Sequence, residues 1–303
     1  MSRLKETLTT TDTTELKTRK LKPATKVGEG IRNFLSPILK LTQPAVRTAD
    51  ISIEGHENLQ KLKGSGAIIV VAPHNGHPDT ILVRDAFEKE FRKLLFFIAA
   101  ADYWEAAVHA EDDTNLVKLK NTLVVFKRKI FSPAAVRILP IDRHSSEQAF
   151  FDLEQAAERA LAGEMPVLYP EGTRSRDGKR PMSQREFKTG LGLLVLMTEG
   201  KVPIVPVYLE GNESLMPPEK NKKQLELEAE TLQEETEPSP TSQKVVVHIG
   251  EPIDTSSLVQ KSLEEMEHKE IRAARRMITS LTHGYFVGKY EDITGDFSGP
   301  EPY

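Results

Sequence analysis

The 303-residue chain contains no cysteine, which excludes disulfides, thiolate metal sites and a cysteine nucleophile. That absence fits a reducing compartment. Long apolar runs are also missing: no window approaches the roughly 18 consecutive apolar residues of a spanning helix. The first residues are rich in Thr, Lys and Arg and lack the apolar core of a secretory signal. A protein that is soluble, or lies on a surface, is expected. Glycine-rich phosphate loops of the Walker or dinucleotide type are absent too, so nothing supports nucleotide hydrolysis.

Charge is plentiful, at 28% of residues, but its balance is uneven along the chain. The net charge of −4 is matched by residues 219–237 alone, where seven Glu face three Lys. Residues 1–47 carry ten Lys or Arg against four acids, a balance of +6. A basic arm beside a body of net charge −6 suits an anionic surface, membrane or nucleic acid, and equally a solvated tail. The arm lacks interleaved aromatics, which argues against nucleic acid.

Apolar patterning divides the rest. Residues 1–28 have little to bury and read as a disordered tail. Residues 29–50 hold an amphipathic segment, with Ile31, Phe34, Leu35, Ile38 and Leu39 on one helical face and Pro37 as a kink. Strands are expected at 51–53, 67–72, 94–99, 137–141, 165–168, 203–209 and 245–249. Helices are expected at 78–93, 146–162, 187–199 and 262–281. Leu116, Leu119, Leu123, Phe126 and Ile130 form another amphipathic helix, and no acid occurs from Thr114 to Ile141. This basic helix suits either a bilayer surface or an ordinary packed position. Residues 217–244 read as a disordered acidic insertion, and 291–303 as a C-terminal tail. Strands alternating with helices predict an α/β protein with a central, largely parallel sheet, a single domain over 51–290.

Two loops follow buried strands about a hundred residues apart: Pro73-His74-Asn75-Gly76-His77-Pro78-Asp79 and Tyr169-Pro170-Glu171-Gly172-Thr173-Arg174-Ser175. In open α/β sheets, ligands bind at such strand ends. On an ideal helix, residues five apart point about 140° away from each other. His74 and Asp79 therefore meet only if Asn75-Gly76 turns the chain. Asp79 in a first helical turn then orients His74 through Nδ1 and leaves Nε2 as a base. His77 is the competing histidine. In the second loop Gly172 permits close backbone approach, Thr173 offers a hydroxyl, and Arg174 offers a planar fork for phosphate. Arg143 and Lys188 are further cations near the same edge. A base beside an anion site points to an enzyme acting on an anionic substrate that bears a hydroxyl.

Four blocks in order resemble the glycerolipid acyltransferases, the group that contains lysophosphatidic acid acyltransferases. They are His74-x4-Asp79, Pro140-Ile141-Asp142-Arg143, Glu171-Gly172-Thr173-Arg174-Ser175 with Phe187-Lys188-x-Gly190, and 202–207. The resemblance covers 51–211, and 245–253 is similar to the closing strand. It implies the sheet architecture of a glycerol-3-phosphate acyltransferase. It also implies acyl transfer from an acyl-CoA or acyl carrier protein thioester to the hydroxyl of a lysophospholipid, 1-acylglycerol 3-phosphate foremost. His74 and Asp79 would be catalytic, with no acyl-enzyme, no metal and no cofactor beyond the acyl donor. Arg143, Arg174 and Lys188 would hold the acceptor phosphate. Glu171 would position the acceptor or brace the loop, Gly172 and Thr173 would line the site, and Pro206 would shape it. A backbone amide near Gly172 would belong to the oxyanion hole.

Many relatives have Asn before the histidine and Ser two residues after it; here those positions are Pro73 and Gly76. Nor is there a clear membrane-inserted N-terminal segment. Alternatives are the same chemistry on glycerol 3-phosphate or a phosphate-free alcohol, and a catalytically silent lipid-binding protein. The partners implied are the acyl donor, the lysophospholipid and an anionic membrane, with the protein peripheral on its cytoplasmic side and without nucleic acid.

Overall fold

Continuous apolar strands, rather than alternating ones, set the architecture. β2 (Ile68–Ala72) is buried along its whole length. A strand covered on both faces is what a parallel sheet between helices requires. In the computed structural model it lies inside a seven-stranded sheet ordered β1-β7-β6-β2-β5-β3-β4. The structure describes residues 49–62, 65–76, 78–101, 137–174, 180–215, 244–257, 259–260 and 268–296. The expected tail 1–28, all but the end of the amphipathic segment 29–50, the basic helix 116–130 and residues 217–243 of the insertion lie outside them. So do His77, Ser175 and residues 297–303.

β2 pairs in parallel with β6 (Ile204–Glu210) on one side and β5 (Met165–Leu168) on the other. β3 (Leu95–Ala100) and β4 (Ile138–Ile141) extend the parallel set beyond β5. β7 (Lys244–Ile249) runs antiparallel to β6, and β1 (Asp50–Glu54) pairs in parallel with β7 at the edge. The expected mostly parallel α/β sheet is therefore present. β7 opens at Lys244, and β1 at Asp50, one residue inside the ranges expected for the insertion and the amphipathic segment.

Alternate residues of β2 feed two cores. Ile69 and Val71 pack with Leu59 of α1 (Glu57–Gln60), Ile81 and Val83 of α2 (Pro78–Ala86), and Phe91 of α3 (Lys89–Arg92). Ile68, Val70 and Ala72 pack with Ala156 and Ala160 of α4 (Ser146–Leu161), Leu194 of α5 (Gly190–Met197), and Ile278 of α6 (His268–Thr294). α5 is apolar all round because it is sandwiched: every residue from Leu191 to Met197 is buried.

Helix limits differ from the expected ones for local reasons. The helix expected over 78–93 is broken after Ala86, where Arg92 Nε and Nη2 donate to Phe87 O and Nη2 to Asp85 O. That guanidinium satisfies carbonyls a continued helix would have used. α5 starts only at Gly190, because Lys188 N–H is drawn to Pro170 O at 2.7 Å. α6 runs past Leu281 to Thr294, into residues expected as tail, because Thr282 and Phe286 stay buried against the core.

Candidate active site

β2, β5 and β6 are adjacent and parallel, so the loops after Ala72, Leu168 and Glu210 emerge side by side. The chain after β4, with Asp142 and Arg143, leaves by the same edge. Everything below sits on these connections.

The first loop turns as Asn75-Gly76 suggests: Asp79 N–H returns to Gly76 O at 3.3 Å, at the start of α2. Asp79 is fully buried. Its Oδ2 accepts from His74 Nδ1 at 2.8 Å, Asn75 N at 2.9 Å and Gly76 N at 3.0 Å. Its Oδ1 accepts from Asn212 Nδ2 at 2.9 Å. Four donors converge on one carboxylate and hold it in place. A proton on His74 Nδ1 fixes the tautomer with Nε2 as acceptor. The His74 side chain keeps 17% exposure, and its ring stacks on Tyr169 with centroids 4.0 Å apart and planes 19° from parallel. Burial first, then the Asp79 charge, pushes the Tyr169 hydroxyl pKa up, against a hydrogen bond with Thr80. The stacked ring therefore stays neutral. An oriented imidazole beside solvent is equipped to take a proton from a hydroxyl.

Glu171 braces the loops. Oε1 accepts the His74 backbone N–H at 2.7 Å, and Oε2 pairs with Arg185 Nη1 at 2.9 Å. Arg185 and Glu171 side chains are 3% and 9% exposed, and Arg185 Nη2 reaches Asn75 Oδ1 at 3.3 Å. Of the two roles considered for Glu171, this geometry is that of a brace. Gly172 has φ of 70°, a conformation that glycine adopts readily. Its N–H donates to Tyr169 O at 3.0 Å and closes a turn.

The cations approach the same loop from separate elements. Arg143 Nη1 donates to Gly172 O at 2.7 Å. Arg143 is presented by a connection that Asp152 anchors, accepting Asp142 N–H at 3.0 Å while taking Gln148 Nε2 at 2.9 Å. Lys188 lies over Gly172 and places its ammonium 2.8 Å from Glu186, an exposed pair of little energetic weight. Thr173 Oγ1 donates to Arg174 O at 3.1 Å, leaving Arg174 half-buried on the loop. Pro206 sits in β6 beside β2 and is buried. Among the described residues no group of acids and histidines is arranged to hold a metal ion.

With a histidine–aspartate pair on one strand-end loop and Arg143 bonded to the next, the comparison with protein families becomes specific. The model of the acyltransferase family, that of the glycerolipid acyltransferases such as lysophosphatidic acid acyltransferase, matches residues 50–210. The chain belongs to this family. Acyl transfer is accordingly its chemistry. No curated protein matches the chain. Within this acyltransferase, the family match runs from the first strand through β6, which takes in both loops and the Arg143 connection.

Sequence reasoning missed Arg185 and Asn212, which hold the pair from outside the loop, and read Asn75 as a turn former alone. Asn75, Arg185 and Asn212 are 0%, 5% and 1% exposed. Tyr169 could have been noticed as the aromatic that opens the second loop. Arg185 and Asn212 carry no spacing signal, since only the fold brings them to the site.

Proposed function

We propose that the protein transfers a fatty acyl group from acyl-CoA or acyl carrier protein to the free hydroxyl of a lysophospholipid, with 1-acylglycerol 3-phosphate as acceptor. The observation that carries this reading is the buried Asp79 bonded to His74 Nδ1 in a strand-end loop, beside the loop that carries Arg174 and receives Arg143. His74 Nε2 takes the hydroxyl proton, and the alkoxide oxygen attacks the thioester carbonyl carbon. The tetrahedral intermediate then expels the thiolate by breaking the C–S bond, and the imidazolium returns its proton to that thiolate. Asp79 holds the ring and stabilises the imidazolium. The transfer is direct, without an acyl-enzyme, and calls on no metal or further cofactor.

Arg143 and Arg174 bind the acceptor phosphate, with Lys188 at the rim and Gly172 and Thr173 lining the approach. Glu171 shapes this site from behind, through His74 and Arg185. The protein works at a cytoplasmic, anionic membrane surface, a placement the +6 balance of residues 1–47 supports. No helix among the described residues is long and apolar enough to cross a membrane.

The test is product analysis with both donor types and three acceptors: 1-acylglycerol 3-phosphate, glycerol 3-phosphate and a phosphate-free monoacylglycerol. Diacylglycerol 3-phosphate is expected as the main product. Arg143→Ala or Arg174→Ala should raise KM about ten- to a hundredfold for phosphate acceptors only, the worth of one charged hydrogen bond. Acylation confined to the phosphate-free acceptor would overturn the acceptor assignment.

A further inference from the structure

Asn212 lies two residues beyond the family match and has no place in the chemistry above. It opens a short 3₁₀ turn, Asn212–Ser214, just after Gly211, whose φ of 75° ends β6 and turns the chain back over the sheet edge. A Cβ at Gly211 would stand 2.4 Å from Lys244 O, so this turn is tightly packed.

The side chain of Asn212 is fully used. Nδ2 donates to Asp79 Oδ1 at 2.9 Å and to Pro73 O at 3.1 Å. Oδ1 accepts from Asn75 Nδ2 at 2.8 Å. The amide orientation is decided by its neighbours, because a reversed amide would set Oδ1 against the Asp79 carboxylate and Nδ2 against the Asn75 amide. One side chain thus grips the catalytic carboxylate and the backbone on the near side of His74. It also holds Asn75, which in turn meets Arg185.

Resting on the reading of His74 as the base, we propose that Asn212 is a positioning residue that sets the His74–Asp79 geometry for catalysis. It touches neither substrate nor the reacting atoms. Its two N–H groups hold Asp79 Oδ1 and Pro73 O, so the carboxylate and the loop carrying the imidazole move as one body. Misplacing a catalytic group by an ångström reduces rate by about a hundredfold.

The experiment compares steady-state kinetics and pH profiles of wild type, Asn212→Ala, Asn212→Asp and His74→Ala. Acyl-CoA and 1-acylglycerol 3-phosphate are the probes, and circular dichroism checks the fold. Asn212→Ala is expected to lower kcat about a hundredfold, with both KM values within about twofold. Asn212→Asp keeps the volume but adds a negative charge against Asp79, near His74, Glu171 and Arg185. That charge favours the imidazolium, so the acid limb of kcat/KM should move to higher pH. A residue that only supports the fold would leave kcat of the folded Asn212→Ala variant unchanged, whereas the limb shift reports the electrostatic coupling of position 212 to His74.

Wild-type kcat in a folded Asn212→Ala variant would overturn the proposal. Loss of fold in both would overturn it too, since Asn212 would then serve the sheet as a whole. Full activity in His74→Ala would instead remove the base assignment on which the proposal rests. An inactive His74→Ala with unchanged Asn212 variants would remove the proposal alone.

Discussion

Asp79→Asn could keep an amide oxygen towards His74 Nδ1, Asn75 N–H and Gly76 N–H only by turning its NH2 against Asn212 Nδ2, which now donates to Oδ1. The imidazolium loses the charge that stabilises it and the carboxylate site loses its Asn212 bond, so kcat for thiol release should fall by about 10²- to 10⁴-fold, the usual worth of a positioned base. Glu171→Gln removes the charge opposite Arg185, whose side chain is only 3% exposed. Breaking a buried ion pair destabilises by about 3–5 kcal/mol, which a denaturant titration would show. KM should change alike for phosphate and phosphate-free acceptors, because Glu171 faces the loop backbone and Arg185. A rise confined to one acceptor class would mean that it contacts substrate. His74 and Asp79 were legible in the sequence because they share one short loop with a turn signal. Asn212 was not, since 133 residues separate it from Asp79 and buried amides take meaning only from their partners.

At the scale of elements, two glycines in helices give opposite expectations. A Cβ on Gly192 of α5 would stand 2.2 Å from Arg275 O of α6. Gly192→Ala should therefore push the helices apart and destabilise by about 1–3 kcal/mol, the usual penalty of overpacking. At Gly284 of α6 an added Cβ meets nothing within 4 Å. Gly284→Ala should stabilise by about 0.5–1 kcal/mol, because alanine loses less freedom in a helix. Thermal melts of the two variants should shift in opposite directions, and a shared direction would contradict the close α5–α6 crossing. Strands such as β2 and β6 were legible as short apolar runs. Helix ends were less so: the break after Ala86 depends on Arg92 reaching back to two carbonyls, and the length of α6 on where Phe286 finds a core.

For the whole molecule, the alternation of strands and helices was enough to expect a largely parallel α/β sheet, but not its order. β1 comes first among the described strands yet lies at the sheet edge beside β7, the last of them. Only long-range packing decides that. The order has a dynamic consequence: β2 is paired on both sides and covered on both faces, whereas β1 exposes Ile51 and Ile53 at 36% and 41%. Native-state hydrogen exchange should find the amides of Ile69, Val71, Val205 and Val207 opening only with global unfolding. Those of β1 should exchange faster, and the reverse order would contradict this sheet.

The strand order also brings together the two loops that make the site, by setting β2 between β5 and β6. The most direct measurement is therefore at His74. Thiol release from acyl-CoA, with and without 1-acylglycerol 3-phosphate, should be compared for wild type and a folded His74→Ala variant. Acceptor-dependent release in the wild type, reduced at least about a hundredfold in the variant, is the expected result. Equal release from both would contradict His74 as the base.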